Sequence, residues 1–337
     1  IRTNFGSIPA AVDPRPRTAY TVPPHSETLY SIVTDPEATM TRVRVMQKMP
    51  PRELVTEAEY RRAIVERLGD AMLNQRLEER SREADPPYIA AGSGVGNAVR
   101  EMGTYNLVAI VDGGGLDRGL EAILTEAERV ARYGFTATEL ERAKSTYLRA
   151  MEQAYKERDT VKSRSLAGEY VRNFLSGEAA PGIAAELELA EKFVPGVSLD
   201  EVNALAKTWL IDGSRVVTVS GPENEGVEFP GEAEIAAVVA RVGLSDIAPY
   251  DDRVADQPLM AAVPPPAAIV SENTIPEIGV TLWELANGVR VVLIPTDLKN
   301  DEILFTAFSP GGSSLVADAD YIAAATADTV IIEGGVG

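Results

Sequence analysis

An α+β fold, a mostly antiparallel sheet with helices packed on one face, is what this sequence predicts, and three observations predict it. Strand-like and helix-like runs come in blocks (strands, helix, strands, several helices, strand) and do not alternate singly, as they would around a parallel sheet. Capping boxes open the long helical stretches, each a hydroxyl residue followed three positions later by Glu. An Asn-Gly turn between two apolar runs, at Asn287-Gly288, starts a further sheet near the end of the chain.

The elements are taken in chain order. Thr28-Leu29-Tyr30-Ser31-Ile32-Val33-Thr34 and Thr41-Arg42-Val43-Arg44-Val45-Met46-Gln47 alternate and are rich in β-branched residues; they are read as strands of one antiparallel sheet, parted by Asp35-Pro36. Thr56 and Glu59 open a long helix carried by Tyr60, Ile64, Leu68, Met72 and Leu77, with its other face nearly all charge. Residues 88–93 and 104–111 are strand candidates joined by a glycine-rich segment. Leu116, Leu120, Ile123, Leu124, Ala127 and Val130 build a second amphipathic helix, stopped at Gly134.

Thr138 and Glu141 are read as the next capping box, opening a helical stretch that runs with breaks to Ser176-Gly177. Ser198 and Glu201 open a shorter helix through Trp209, and residues 215–220 form a last strand. From Pro222 to Ile278 the chain turns acidic and proline-rich, with Pro264-Pro265-Pro266 and one helix over 232–242; such a segment is stiff and extended and reads as a linker. After it, Trp283 to Pro295 forms the hairpin, whose turn is expected to hold both central residues at positive φ, and residues 303–309 supply a third strand. The expected organisation is a connector over 1–24, a domain over 25–221, the linker over 222–278 and an incomplete domain over 279–337.

Composition narrows the function classes. A net charge of −19 argues against a nucleic-acid surface or an anionic membrane, either of which needs clustered Lys and Arg. With no cysteine, disulfides and thiolate metal sites are excluded while the redox compartment stays undecided. No apolar run approaches the roughly 20 residues of a membrane span. The chain opens Ile1-Arg2-Thr3 without Met and closes on Val336-Gly337 just after the apolar run Val330-Ile331-Ile332, so both ends are expected to be cuts within a longer protein.

Candidate chemical groups are few. His25 is the one histidine, whereas a zinc hydrolase site takes three protein ligands, so it is read as a surface or strand-entry residue. Gly92-Ser93-Gly94-Val95-Gly96-Asn97 has Asn where a dinucleotide fingerprint needs Gly, and Gly113-Gly114-Gly115 has no Gly-Lys-Ser/Thr; turns and close strand packing account for both. Glu78-Glu79 and Asp251-Asp252 are read as solvated carboxylates, and Ser163 and Ser165 have no histidine partner in any motif.

The hairpin, the next strand and Pro310-Gly311-Gly312-Ser313-Ser314 ahead of a short helix resemble the opening of a domain in the pitrilysin/insulinase-type zinc metallopeptidases. Further segments resemble the non-catalytic second domain of that family: Phe5-Gly6-Ser7-Ile8-Pro9, Val22-Pro23-Pro24-His25, Thr34-Asp35-Pro36-Glu37, Met72-Leu73-Asn74-Gln75-Arg76-Leu77, and Phe135 to Lys144. The resemblance implies a metallopeptidase-half architecture (LuxS or processing-peptidase type) plus a partial second copy, with residues 1–24 including the tail of a preceding domain. In an active domain of the family the helix after the glycines carries His-x-x-Glu-His, in which two His bind zinc and Glu activates water. Here Ala324 and Asp328 stand at the His positions and Ala327 at the Glu position, so that motif is degenerate.

The resemblance also implies a function: a non-catalytic portion of a zinc metalloendopeptidase that hydrolyses peptides, supplying chamber wall and the linker between halves. Zinc would sit in an upstream domain of the parent, with no catalytic, cofactor or metal residue in this chain. The expected partners are a peptide substrate, held as an added β-strand along an exposed sheet edge, and the remaining domains of the same protein; the expected compartment is the periplasm, with the cytoplasm as the alternative. The competing reading is a catalytically inactive family member that binds peptides or acts as a scaffold.

Overall fold

The computed structural model describes residues 18–223, 229–252, 262–297 and 302–334, and ahead of them residues 3, 6–9, 12–13 and 15–16. Phe5, Pro14, Arg17 and both chain ends, together with parts of the acidic segment at 224–228 and 253–261, lie outside the described residues. Strands β1 (Leu29–Asp35) and β2 (Thr41–Met49) lead into helix α1 (Glu57–Ser81) and strands β3 (Ala90–Val99) and β4 (Met102–Val111). Helices α2 (Leu116–Tyr133), α3 (Ala137–Lys156), α4 (Ser163–Ser176), α5 (Ile183–Phe193) and α6 (Leu199–Ala206) come next, then β5 (Arg215–Pro222) and α7 (Glu232–Leu244). A second sheet holds β6 (Ile269–Ile275), β7 (Val280–Leu285) and β8 (Arg290–Leu293), and α8 (Tyr321–Gly334) ends the described chain.

The first sheet has the order β1-β5-β2-β4-β3. β5 lies between β1 and β2, parallel to the first and antiparallel to the second, so the two opening strands share a sheet, as expected, but do not pair, and the contact of β1 with β5 departs from the expected antiparallel arrangement. The helical layer lies on the face carrying Val43, Val45, Tyr105, Leu107, Val217 and Val219, all at most 1% exposed. Helix α1 supplies Ile64, Leu68, Met72, Leu73 and Leu77 to that core. Gly69 admits the Trp209 ring, since a Cβ there would stand 2.9 Å from it, and Trp209 stacks on Tyr105 with ring centroids 4.8 Å apart.

Several local expectations are corrected. The glycine run 92–97 is part of β3 itself, paired with β4, because glycine leaves the extended ladder sterically free even though it adds no packing. Five helices, α2 to α6, separate β4 from β5 where the sequence marks three helical stretches, because the stretch from 138 to 176 breaks where Val161 is extended and α5 forms where no capping box announces a start. The helix opening after Gly134 is capped by Thr136 and Glu139, not Thr138 and Glu141: Thr136 Oγ1 accepts from the Glu139 amide (3.2 Å) and Glu139 Oε2 from the Thr136 amide (2.7 Å). α6 stops at Ala206, which frees Trp209 to turn inward. At the hairpin only Gly288 has positive φ; the Gly288 amide donates to the Leu285 carbonyl (2.8 Å), making a turn closed by one left-handed glycine. Residues 303–309 form no strand: Ile303 is 92% and Phe308 90% exposed, and no neighbouring strand offers them a ladder among the described residues.

The charged face of α1 is also less solvated than its sequence implies. Arg76 is fully buried, its Nε and Nη2 donating to Glu139 Oε1 and Oε2 (2.7 and 2.8 Å) and Nη2 also to the Gly134 carbonyl (3.2 Å). The guanidinium lies 4.0 Å from the Tyr250 ring and 5.0 Å from that of Phe135. Tyr250 belongs to residues 245–252, which run over the helices: Arg132 donates to the Gly243 and Ser245 carbonyls, Arg129 to Ala248, and Asp252 accepts from Thr136, Thr138 and Arg142. Asp252 is thus largely enclosed, contrary to the solvated reading, because it lies against the first turn of α3. Thr136, Thr138 and Arg142 hold its carboxyl below the usual range against the opposing effect of burial.

Removing one partner of a buried pair leaves the other charge uncompensated. Arg76→Met is therefore expected to cost about 3–5 kcal/mol in urea unfolding, and adding Glu139→Met to recover most of it. Equal losses in the single and double variants would show that packing, not charge, carries the site.

Candidate functional site

Two edges bound the five-stranded sheet, and the chain treats them differently. Along β3, residues whose backbone groups point away from β4 meet α1: Asn74 Oδ1 accepts from the Ser93 amide (2.6 Å), Asn74 Nδ2 donates to the Ser93 carbonyl (3.1 Å), and Asp70 Oδ2 accepts from the Val95 amide (3.4 Å). One asparagine side chain does there what a neighbouring strand would do. Asn74 reads in sequence as an ordinary polar helix position, and no motif marks it.

β1 is the open edge. The Glu223 amide donates to the Asp35 carbonyl (3.2 Å), and Asp35 is in register with Pro222, so Asp35 and every second residue before it point at β5. The backbone N–H and C=O groups of Tyr30, Ile32 and Thr34 therefore face outward, with no strand beyond them among the described residues. A strand edge of this kind is a template for an extended polypeptide.

Beside the closed edge lies a cavity of about 1010 Å³, between the end of β2, the first turns of α1, the tip of β3 and the end of α4. Glu66 is held on its wall by Arg52 and by Arg62 (3.0 Å). Asp70 sits on the same wall, its Oδ1 buried without a hydrogen-bond partner. Burial raises its carboxyl from 3.8 to about 6, against the Val95 amide and the charge of Arg52, which both act to lower it. Burial lowers the Arg52 guanidinium to about 10, and Arg62 adds to that effect.

The residues singled out in the sequence are scattered. His25 lies four residues before the start of β1; its Nδ1 donates to the Glu27 carbonyl (2.6 Å), and the Ser214 amide donates to the His25 carbonyl (2.7 Å). That is a strand-entry role. Gly113-Gly114-Gly115 makes the turn into α2, where the Gly115 amide donates to Asp112 (2.9 Å). Glu78 pairs with Arg82, Glu79 accepts from Tyr250, and Ser163 and Ser165 stand on the exposed first turn of α4. On α8, Ala324 is half-buried and Ala327 and Asp328 are exposed, and their i, i+3, i+4 spacing places them on one helix face. Two methyl groups and one carboxylate do not fit zinc, which takes three protein ligands in a catalytic site. Among the described residues no group of three or more His, Cys, Asp or Glu side chains is placed to hold a metal ion, and no helix is long and apolar enough to cross a membrane.

Known proteins share both the sequence pattern and the fold. Residues 1–147 match the family described as Peptidase M16 inactive domain. A protein of Arabidopsis thaliana named zinc protease PQQL-like is 29% identical over 335 residues, covering 99% of this chain and 32% of its own length. The crystal structure of the periplasmic protease PqqL from Escherichia coli superposes with a TM-score of 0.68 at 18% identity, covering 88% of this chain and 33% of that one. The ferredoxin protease FusC, as an E83A mutant in complex with Arabidopsis ferredoxin, gives a TM-score of 0.58 at 18% identity over 87% of this chain and 33% of that one. This chain thus spans about a third of the length of these relatives.

A carboxyl raised by folding stabilises the native state below its unfolded value of 3.8, and that contribution is lost as pH rises through about 6. The stability of Asp70→Asn relative to wild type is therefore expected to rise by on the order of 2 kcal/mol from pH 4 to pH 7.5 in urea unfolding. A pH-independent difference would show that Asp70 is solvated.

Proposed function

We propose, for a chain that carries the inactive domain of the M16 peptidases, that it forms a non-catalytic portion of a zinc-dependent metalloendopeptidase and supplies a wall of the chamber in which peptides are held. The match of residues 1–147 to the inactive domain carries this reading, and the 29% identity to a zinc protease over nearly the whole chain supports it. Zinc and the water-activating base would then be held elsewhere in the parent protein, since Ala324, Ala327 and Asp328 do not supply them. Residues 25–221 act as the non-catalytic domain and 279–337 as the start of a degenerate peptidase-like domain; the segment 222–278 joins the halves, but its α7 and residues 245–252 pack on the first of them and its β6 pairs with β7 of the second. The periplasm, where the E. coli relative works, is the compartment this reading favours.

On this reading the open edge of β1 receives the peptide. Main-chain hydrogen bonds from Tyr30, Ile32 and Thr34 would hold an extended substrate with little regard to its side chains, as a peptidase of broad specificity requires. The remaining domains of the parent would close the chamber and bring the zinc-bound water to the held strand.

Zinc content and cleavage of a quenched fluorogenic peptide, measured side by side on this chain and on the full-length parent, test the assignment. A zinc-loaded, chelator-sensitive parent beside an inert fragment is expected; absence of zinc and turnover in both would favour a scaffold instead. For the edge, Thr34→Pro deletes an outward N–H without touching the ladder to β5. It is expected to weaken binding of an extended peptide roughly 2- to 10-fold, the worth of one hydrogen bond, with an unchanged melting temperature. Unaltered affinity would exclude β1 as the binding edge.

A further inference from the structure

Helix α4 is built inside out. At 100° per residue, Leu166, Tyr170, Val171, Phe174 and Leu175 fall on one half of its circumference, and Ser165, Gly168, Glu169, Arg172, Asn173 and Ser176 on the other. A helix on the surface of a globular protein turns its apolar half to the core. Here the polar half faces the body: Gly168 and Glu169 are half-buried, Arg172 and Asn173 are bonded to Glu178, and Arg172 and Ser176 line the cavity. The apolar half faces solvent, with Phe174 86% and Tyr170 64% exposed, and α4 buries no residue at all. The orientation is anchored, because Gly177 ends the helix in the left-handed conformation and the Ala179 amide then donates to the Leu54 carbonyl ahead of α1 (2.7 Å).

The charge around this face differs from that of the rest of the molecule. Residues 156–178 carry five cations (Lys156, Arg158, Lys162, Arg164, Arg172) and four anions (Glu157, Asp159, Glu169 and Glu178, the last paired with Arg172), a net of +1, which leaves −20 on the remainder of a chain whose total is −19. A cationic rim beside exposed aromatic side chains, on an otherwise acidic body, selects a ligand that is both acidic and apolar. Two copies of α4 meeting face to face would set Lys162 and Arg164 against their equivalents and bring two acidic bodies together. An anionic bilayer would be repelled by the same body.

We propose that the outward face of α4 is a docking surface for an acidic polypeptide segment bearing aromatic or aliphatic side chains, with Tyr170 and Phe174 as apolar anchors and Lys162 and Arg164 contacting its carboxylates. The inference rests on the peptide-handling reading above and adds to it a substrate class, recognised at a place distinct from the β1 edge. Neither side chain of the anchoring pair packs on the core, so their removal is not expected to unfold the domain.

Two fluorescently labelled 20-residue peptides of equal aromatic content, one rich in Glu and one in Lys, test the proposal by anisotropy at low salt. The acidic peptide is expected to bind, and the basic one at least tenfold more weakly. Tyr170→Ser/Phe174→Ser is expected to weaken the acidic peptide at least tenfold, and Arg164→Glu, which leaves both aromatic anchors in place, to weaken it several-fold with a shallower salt dependence. Equal affinity for the two peptides, or binding indifferent to both variants, would overturn the proposal. So would self-association in sedimentation, or binding to phosphatidylserine vesicles, if either were abolished by the double variant, since the face would then belong to a second copy or to a membrane. Loss in Thr34→Pro with no loss in the α4 variants would overturn the α4 site and leave the edge reading standing; the converse would spare α4 and remove the edge.

Discussion

The buried pair of Arg76 and Glu139 is the constraint on which the helical layer depends. Burying two charges is unfavourable unless they are paired and hydrogen-bonded, and here the partners come from separate parts of the chain. Arg76 comes from the C-terminal part of α1, Glu139 from the first turn of α3, the Gly134 carbonyl from the end of α2, and the Tyr250 ring from the segment beyond α7. Glu139 is also the third residue of the α3 capping box, so the carboxylate that neutralises Arg76 satisfies the helix start as well. The pair therefore sets where α3 begins, how α2 ends and which surface the later chain crosses.

Much of this is legible in the sequence wherever a local pattern governs a local outcome. Thr56 and Glu59 cap α1 as their spacing predicts, the period-two run at 41–47 lies within β2, and the helix at 232–244 is visible through an acidic, proline-rich surround. The failures are decided by distant partners. Nothing near Thr138 reveals that Glu139 is claimed by Arg76 from 63 residues away, which moves the capping box two positions earlier. The apolar run at 303–309 has strand chemistry but no neighbour to pair with among the described residues, and β propensity is fulfilled only against another strand. The parallel contact of β1 with β5 joins residues nearly 190 positions apart, beyond the reach of any pattern read along the chain.

The same contrast holds for the candidate site. That Ala324, Ala327 and Asp328 do not supply a zinc site is visible in three letters, because ligation requires particular atoms. The difference between an open β1 edge and a closed β3 edge is invisible, because it depends on Asn74 lying level with Ser93 in space. The orientation of α4 is hidden for a related reason: periodicity shows that a helix has two faces and not which of them looks outward. The open strand edge and the outward apolar helix face share one property, an unmet capacity for contact.

The path of residues 245–252 across the helices has a practical corollary for dissecting this polypeptide. A chain stopped after β5, where the sheet is complete, would lack the ring that covers Arg76, the carboxylate at the start of α3, and the Ile235, Val238 and Val242 side chains that α7 buries. The smallest piece able to fold and stay monomeric in a test tube should therefore extend at least to Asp252, some thirty residues past the last strand of its sheet.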